Sequence, residues 1–410
     1  MLQLSILLSC IGLLSLASGA PTSDSQPKAP YPKALYFNVN QVPNSIASVK
    51  VNPDGTLSDG STTATGGNGA SANQGQINKP AAPDALLGTG PIIVVDNLIF
   101  AVNAGSNTVS TLKINPFDPT ELTLLGKPVD SQGDFPNHIV YSEFLQQACV
   151  ANSGTRAVIS CYRISSETGL IPLGSPVPLP FNNQTTPPTN IPIFGLVPES
   201  LAFVTSITFF PDEQPTALIA TIAGNPLSGI RGLLAVYPII NGKVSGNPTL
   251  STPDGIQVPF TAHYIPGTQS VLTSDGTFGA AIIDISHSGV ATTRALTNIP
   301  AQNGTCWAAL IPNTNSAIVT EAFFHQVSEL DLNTGAILQT VIIDNGNFGN
   351  TEVIAVSDKI YMLSPGFANL ATSVVVLDSS RGRGKLAQIQ NFPVKGLGPD
   401  PSAAGLAMWM

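Results

Sequence analysis

The sequence predicts an all-β protein: one seven-bladed β-propeller in which the N- and C-terminal strands share a blade and close the ring. Three observations point there. A pattern of three short apolar runs recurs seven times along the chain. Six more short apolar runs precede copies two to seven, and a seventh ends the chain. The turns between runs are also too dense for helices, with 37 Gly and 35 Pro in 410 residues.

In chain order, residues 1–20 read as a leader. Leu2 to Ala17 is almost unbroken apolar and small, and Ser18, Gly19 and Ala20 precede Pro21. That is the form of a secretory signal peptide cut near Ala20, with a membrane anchor as the alternative. Residues 21–33 follow as a short tail, and residues 34–410 as the propeller. No later stretch reaches 18 apolar residues. The mature chain is therefore expected to have no membrane anchor and to be secreted, extracellular or associated with the cell wall.

The seven copies begin at Ala34, Leu98, Gln147, Ala217, Ser270, Ala317 and Lys359. Equivalent residues closing each first run are Asn40, Asn103, Asn152, Thr221, Ser274, Glu321 and Ser364. Their spacings, 43 to 69 residues, are those of propeller blades with insertions. The runs are four to eight residues long, rich in Val, Ile, Thr and Phe, and are cut by NAGSN, NSGT, PDG, ETG and NTG. One such hairpin cannot bury its own apolar surface, so neighbouring blades must cover it. Inner-strand candidates start at Pro91, His138, Ser206, Phe260, Thr305 and Thr351. Residues 404–410 supply the seventh by folding back onto the first copy, which hides edges that would otherwise pair with other chains.

Three connections interrupt the pattern. Residues 60–89 are rich in Gly, Ala, Asn and Ser and read as a flexible insertion, with a cover over one face of the ring as the alternative. Residues 180–198 are rich in Pro and Asn, and residues 223–232 enlarge a middle turn. All three fall on the face where inner strands begin, which makes it the expected binding face.

Cys149 and Cys161 sit symmetrically about Thr155. In a hairpin they stand opposite each other, where a disulfide can form; buried free thiols are the alternative. Cys10 leaves with the leader, and Cys306 has no partner in this pairing. Asn183 (NQT) and Asn303 (NGT) are N-glycosylation acceptors in a secreted chain.

Lys and Arg number 16 against 25 Asp and Glu, giving a net charge of −9. With no basic block, nucleic acid is excluded as a partner. No G-x-S-x-G, H-E-x-x-H, CxxC, phosphate-binding or dinucleotide motif occurs. The inner-strand starts offer His138, Ser206, Thr261 and Thr351, a set that binds divalent metal poorly, so no metal and no other cofactor is expected.

The segments AVNAGSNTVSTLKI (from Ala101) and CVANSGTRAVISCYRISSETGL (from Cys149) carry a VAN-x-G…TVS run followed by a TG-L turn. Over residues 34–410 this resembles the lactonase family of seven-bladed propellers, and most closely its secreted fungal carboxymuconate cyclase-like members. The resemblance implies a small carboxylate or lactone as ligand or substrate, and an isomerase or lactonase chemistry. The alternative is an inactive extracellular propeller that binds glycan, cell-wall material or protein. The family's Pro-His at an inner-strand start is matched by GDFPNHIVYS, in which Asn137 separates Pro136 from His138.

Cyclisation of a muconate needs a general acid and cations for its carboxylates. His138 is the expected acid, Glu321 a base for lactone hydrolysis, and Arg156 a carboxylate clamp. Arg231, Glu199, His325 and Glu352 are the expected substrate-binding residues, placed by their position on the same face.

Overall fold

The computed structural model describes residues 31–74, 79–180, 184–189, 202–226, 229–366, 370–394, 396–398 and 401–410. The predicted leader, Glu199 and Asn183 lie outside them. Seven antiparallel sheets follow one another around a ring. Blade I takes its inner strand, Ala404–Trp409, from the end of the chain and the rest, Ala34–Asn38, Ser45–Val51 and Leu57–Ala64, from the start. Blades II to VII begin with inner strands Ile92–Val95, Pro136–Ser142, Phe203–Phe210, Pro259–Tyr264, Thr305–Ile311 and Thr351–Val356. Every one overlaps its predicted run. No α-helix occurs among the described residues, so no helix there is long and apolar enough to cross a membrane.

Seven apolar cores hold the ring: six lie between one blade and the next, and the seventh joins blades II and III to the throat of the ring. Leu35, Phe37 and Val49 of blade I, for example, pack on Tyr361, Val374 and Val376 of blade VII. Second and third strands are thus buried on both sides, as in Lys359–Ser364, where every residue is buried. Only outermost strands show strong alternation, as in Ala387–Pro393. Cys149 and Cys161 face each other in the register of Gln147–Asn152 with Val158–Ser165 and form a disulfide with Cα atoms 4.1 Å apart.

Inner strands also share a defect near their start. The ladder to the second strand slips at Asn137, Thr205, Phe260–Thr261, Cys306 and Glu352, and at Gly405 in the closing blade. Where the extra residue is not glycine, the bulge turns its side chain out of the ladder. Several of these side chains stitch one blade to the next: Asn137 Nδ2 donates to Val204 O (2.8 Å), Thr205 Oγ1 to Pro259 O (3.0 Å) and Thr261 Oγ1 to Cys306 O (2.8 Å).

The segment expected as a flexible insertion over 60–89 differs from that reading at both ends. Residues 60–64 complete the outer strand Leu57–Ala64, with Val49 paired to Gly60. Residues 81–89 cross the ring opening on the face where inner strands begin, here called the entry face. Leu86 and Leu87 are buried there with Phe135, Phe203, Phe260 and Trp307, drawn from four blades. Two leucines without other cover seek the apolar throat of the channel, and that burial fixes the segment.

Candidate functional site

Below this plug the inner strands enclose a cavity of about 600 Å³. Its walls are largely apolar, with Val140, Ala308, Leu310, Ile354, Ala355 and Leu406 among them. The polar groups at its upper end are Thr89, His138, Thr261, His263 and Glu352. Asp212 and Glu213, in the turn after Phe203–Phe210, line it toward the opposite, exit face.

His138 is held at the junction of plug and wall. Its Nδ1 lies 3.2 Å from Thr89 Oγ1, and it hydrogen-bonds to the Thr89 and Ile207 backbone. Burial pulls its pKa down to about 4; those hydrogen bonds oppose the shift, and His263 adds to it. His263 Nε2 is 2.7 Å from Ala308 O, so this nitrogen carries the proton. Burial lowers its pKa as well. Both rings are neutral at pH 7, and both tie one blade to the next.

Glu352 occupies its bulge with φ +42°, unusual for a residue with a side chain. Its two oxygens accept from Gly90 N at 3.3 and 3.2 Å, and Gly405 adds a further backbone hydrogen bond. Burial pushes its pKa up to about 8; those amides oppose the rise and the nearby carboxyl of Asp84 strengthens it. The carboxyl is therefore mostly protonated at pH 7. Both glycines are spatial requirements. A Cβ on Gly90 would sit 3.0 Å from His138 Cε1, and one on Gly405 2.7 Å from Ile92 Cγ2. The indole Nε1 of Trp307, in the same wall, is buried without a hydrogen-bond partner.

Of the predicted site residues, the channel brings together His138 and Glu352. Glu321 ends its strand on the entry face but is buried away from the cavity, accepting from Asn303 N and Thr305 Oγ1, each at 2.7 Å. Arg156 stays at a hairpin tip, 3.6 Å from Asp134 and donating to Gly133 O. Arg231 donates to Pro253 O and lies 3.9 Å from Asp254. His325 packs on Phe324 with ring centroids 4.7 Å apart. None of these four lines the channel, and no Lys or Arg does. The reason is geometric: middle-hairpin tips lie outside the ring opening, and the plug occupies the space over which they would have to reach.

Sequence reasoning passed over His263, Trp307 and Thr89 as site residues. The first two stood in named inner-strand runs, so their channel position was there to be read; Thr89 required the path of the insertion. No group of three His, Cys, Asp or Glu residues suited to a metal occurs among the described residues.

A seven-bladed ring with a capped entry face and a mostly apolar central cavity defines the class of this protein. Solved structures share that ring. The periplasmic gluconolactonase of Pseudomonas aeruginosa superposes with a TM-score of 0.66 at 13% identity, covering 92% of this chain and 99% of its own. A protein from Lactobacillus plantarum gives 0.62 at 13% identity, covering 92% and 98%. A candidate 6-phosphogluconolactonase from Bacteroides fragilis gives 0.58 at 13% identity, covering 94% and 99%. No protein-family model matches the sequence, and no curated protein does. What this chain shares with them is the fold, a seven-bladed propeller.

Proposed function

We propose that the central channel binds a small uncharged ring compound, a lactone or a sugar-like molecule, entering from the exit face. The observation that carries this is the lining: an apolar cavity of about 600 Å³ with no Lys or Arg, whose histidines and Glu352 are uncharged near pH 7. A protonated carboxyl and an unpaired indole N–H are donors suited to the oxygens of a lactone or sugar. A muconate-type polycarboxylate would find no cation in the channel and would meet Asp212 and Glu213 on the way in. A lactone as ligand class agrees with the likeness in fold to a periplasmic gluconolactonase. The apolar leader supports export from the cell, where glycan or protein remain the alternative partners.

Hydrolysis of the bound lactone is the second reading, favoured by one feature. A carboxyl shifted to about 8 in a cavity wall is suited to proton transfer near neutral pH. Calorimetric titration with neutral sugar lactones and with polycarboxylates, in parallel with pH-stat turnover, tests both. Neutral lactones should bind, and Ala355→Phe, which narrows the channel, should weaken binding. Tighter binding of polycarboxylates, or binding untouched by Ala355→Phe, would overturn the proposal. Acid release that persists in Glu352→Gln would remove the hydrolytic reading.

A further inference from the structure

We infer that Asn303 is a modification site: it carries an N-linked glycan whose first sugar lies on the ring of Phe323. The acceptor triplet is Asn303-Gly304-Thr305, just ahead of and entering the inner strand of blade VI. Asn303 is exposed, and its backbone is fully engaged: N–H donates to Glu321 Oε2 (2.7 Å) and C=O accepts from Phe323 N (3.1 Å). A substituent on the carboxamide therefore disturbs no contact that holds the turn.

The same backbone pairing fixes what the sugar meets. Phe323 is a large aromatic left 46% exposed, and it leaves the chain directly across from Asn303. Gly304, at φ +83°, brings the turn against that ring; a Cβ there would be 3.3 Å from Phe323 Cδ2. Phe348, 54% exposed, adjoins this ledge, because the next residue, Gly349, rests on the carbonyls of Glu321 and Ala322. Exposed aromatics gathered beside an acceptor asparagine form a platform for the C–H face of a sugar ring, which removes their apolar area from water. The occupant is the glycan of this chain, since its attachment point lies within the ledge.

Attachment uses a lipid-pyrophosphate-linked oligosaccharide. Nδ2 of Asn303 bonds to C1 of the sugar as the C1–O bond breaks; Nδ2 loses a proton, and the lipid pyrophosphate leaves with the bonding electrons. The transfer takes place on the unfolded chain, because the fold buries Thr305 with its hydroxyl on Glu321 Oε1.

The test is production of the full chain in a eukaryotic secretory host, once with its own leader and once with residues 1–20 replaced by a proven leader. The second arm separates failure of export from failure of modification. Mass spectrometry after enzymatic glycan release should convert Asn303 to Asp, and Asn303→Gln should abolish the signal. Removing the glycan should lower Tm by about 1–2 °C in the wild type and leave Phe323→Ala unchanged, with Phe323→Tyr behaving as wild type. An unmodified Asn303 behind the proven leader, or an equal Tm loss in wild type and Phe323→Ala, would overturn the inference.

Discussion

Replacing Glu352 with Gln should make the protein more stable, and increasingly so as pH rises. The carboxyl titrates at about 8 in the fold against 4.5 for the free group. Between those values the folded state keeps a proton that the unfolded chain gives up, so folding loses about 1.4 kcal/mol per pH unit. By pH 7 the loss is about 3 kcal/mol, and it levels off above pH 8. Gln cannot ionise and keeps an oxygen for Gly90 N, so the variant escapes this loss. The facing titratable group is Asp84, itself pushed up to about 7 by burial; Gly90 and Gly405 contribute only backbone. No Glu352 charge contributes to the shift of Asp84, so Asp84 titrates alike in both proteins and cancels from the difference.

His138 acts in the opposite sense. Its folded pKa of about 4 against 6.5 weakens both proteins as pH falls through that window, so it cancels between them. Urea denaturation at fixed pH values from 4 to 9 measures the effect. The stability difference should be smallest near pH 4.5 and grow through neutrality. Parallel curves, offset by a constant, would show that Glu352 is solvated in the native ring and would remove the buried acid from the channel.

Other outcomes follow from the same structure. Cys149→Ser should cost about 3 kcal/mol, because the disulfide closes a short loop with a sequence separation of 12; an unchanged urea midpoint would contradict the cross-link. Leu86→Ala should cost about 3 kcal/mol, since the side chain is fully buried in the throat; a cost under about 0.5 kcal/mol would mean that residues 81–89 do not seal the opening. Ending the chain at Ala403 removes Ala404–Trp409, leaves Ala34–Asn38 without its partner and should abolish cooperative folding; a soluble truncated chain with an unchanged melting curve would refute ring closure.

Strands and ring closure were legible because blade packing repeats: each inner strand needs apolar residues in a short run, and seven such runs stand in the sequence from Pro91 to Met410. The disulfide was legible because hairpin symmetry alone places Cys149 against Cys161. The site was less so. Leu86 and Leu87 sit in a stretch with no period, and only the open throat of the folded ring explains where they go. Arg156 and Arg231 belonged to the right face, yet sequence position carries no information on whether a hairpin tip leans over the axis or pairs with a local carboxylate. His138 lines the channel, but its hydrogen bonds go to Thr89 and Ile207, and neither residue is near it in sequence.

The ring opening also separates structural from chemical roles among its polar residues. Six inner-strand starts carry Gly405, Gly90, Asn137, Thr205, Thr261 and Cys306. The amide and the two hydroxyls donate to the neighbouring blade, and His138 and His263 do the same one step lower, with backbone carbonyls as acceptors. Such contacts are what a ring needs to fix the angle between blades, and they leave little capacity for a ligand. Glu352 departs from that rule. It accepts where the others donate, and the two glycines beside it leave room that side chains would fill. Its carboxyl pays a desolvation cost that an Asn or Thr at the same bulge would avoid. A group that weakens the fold at neutral pH and lines the cavity among the inner strands is the first place to look for this protein's chemistry.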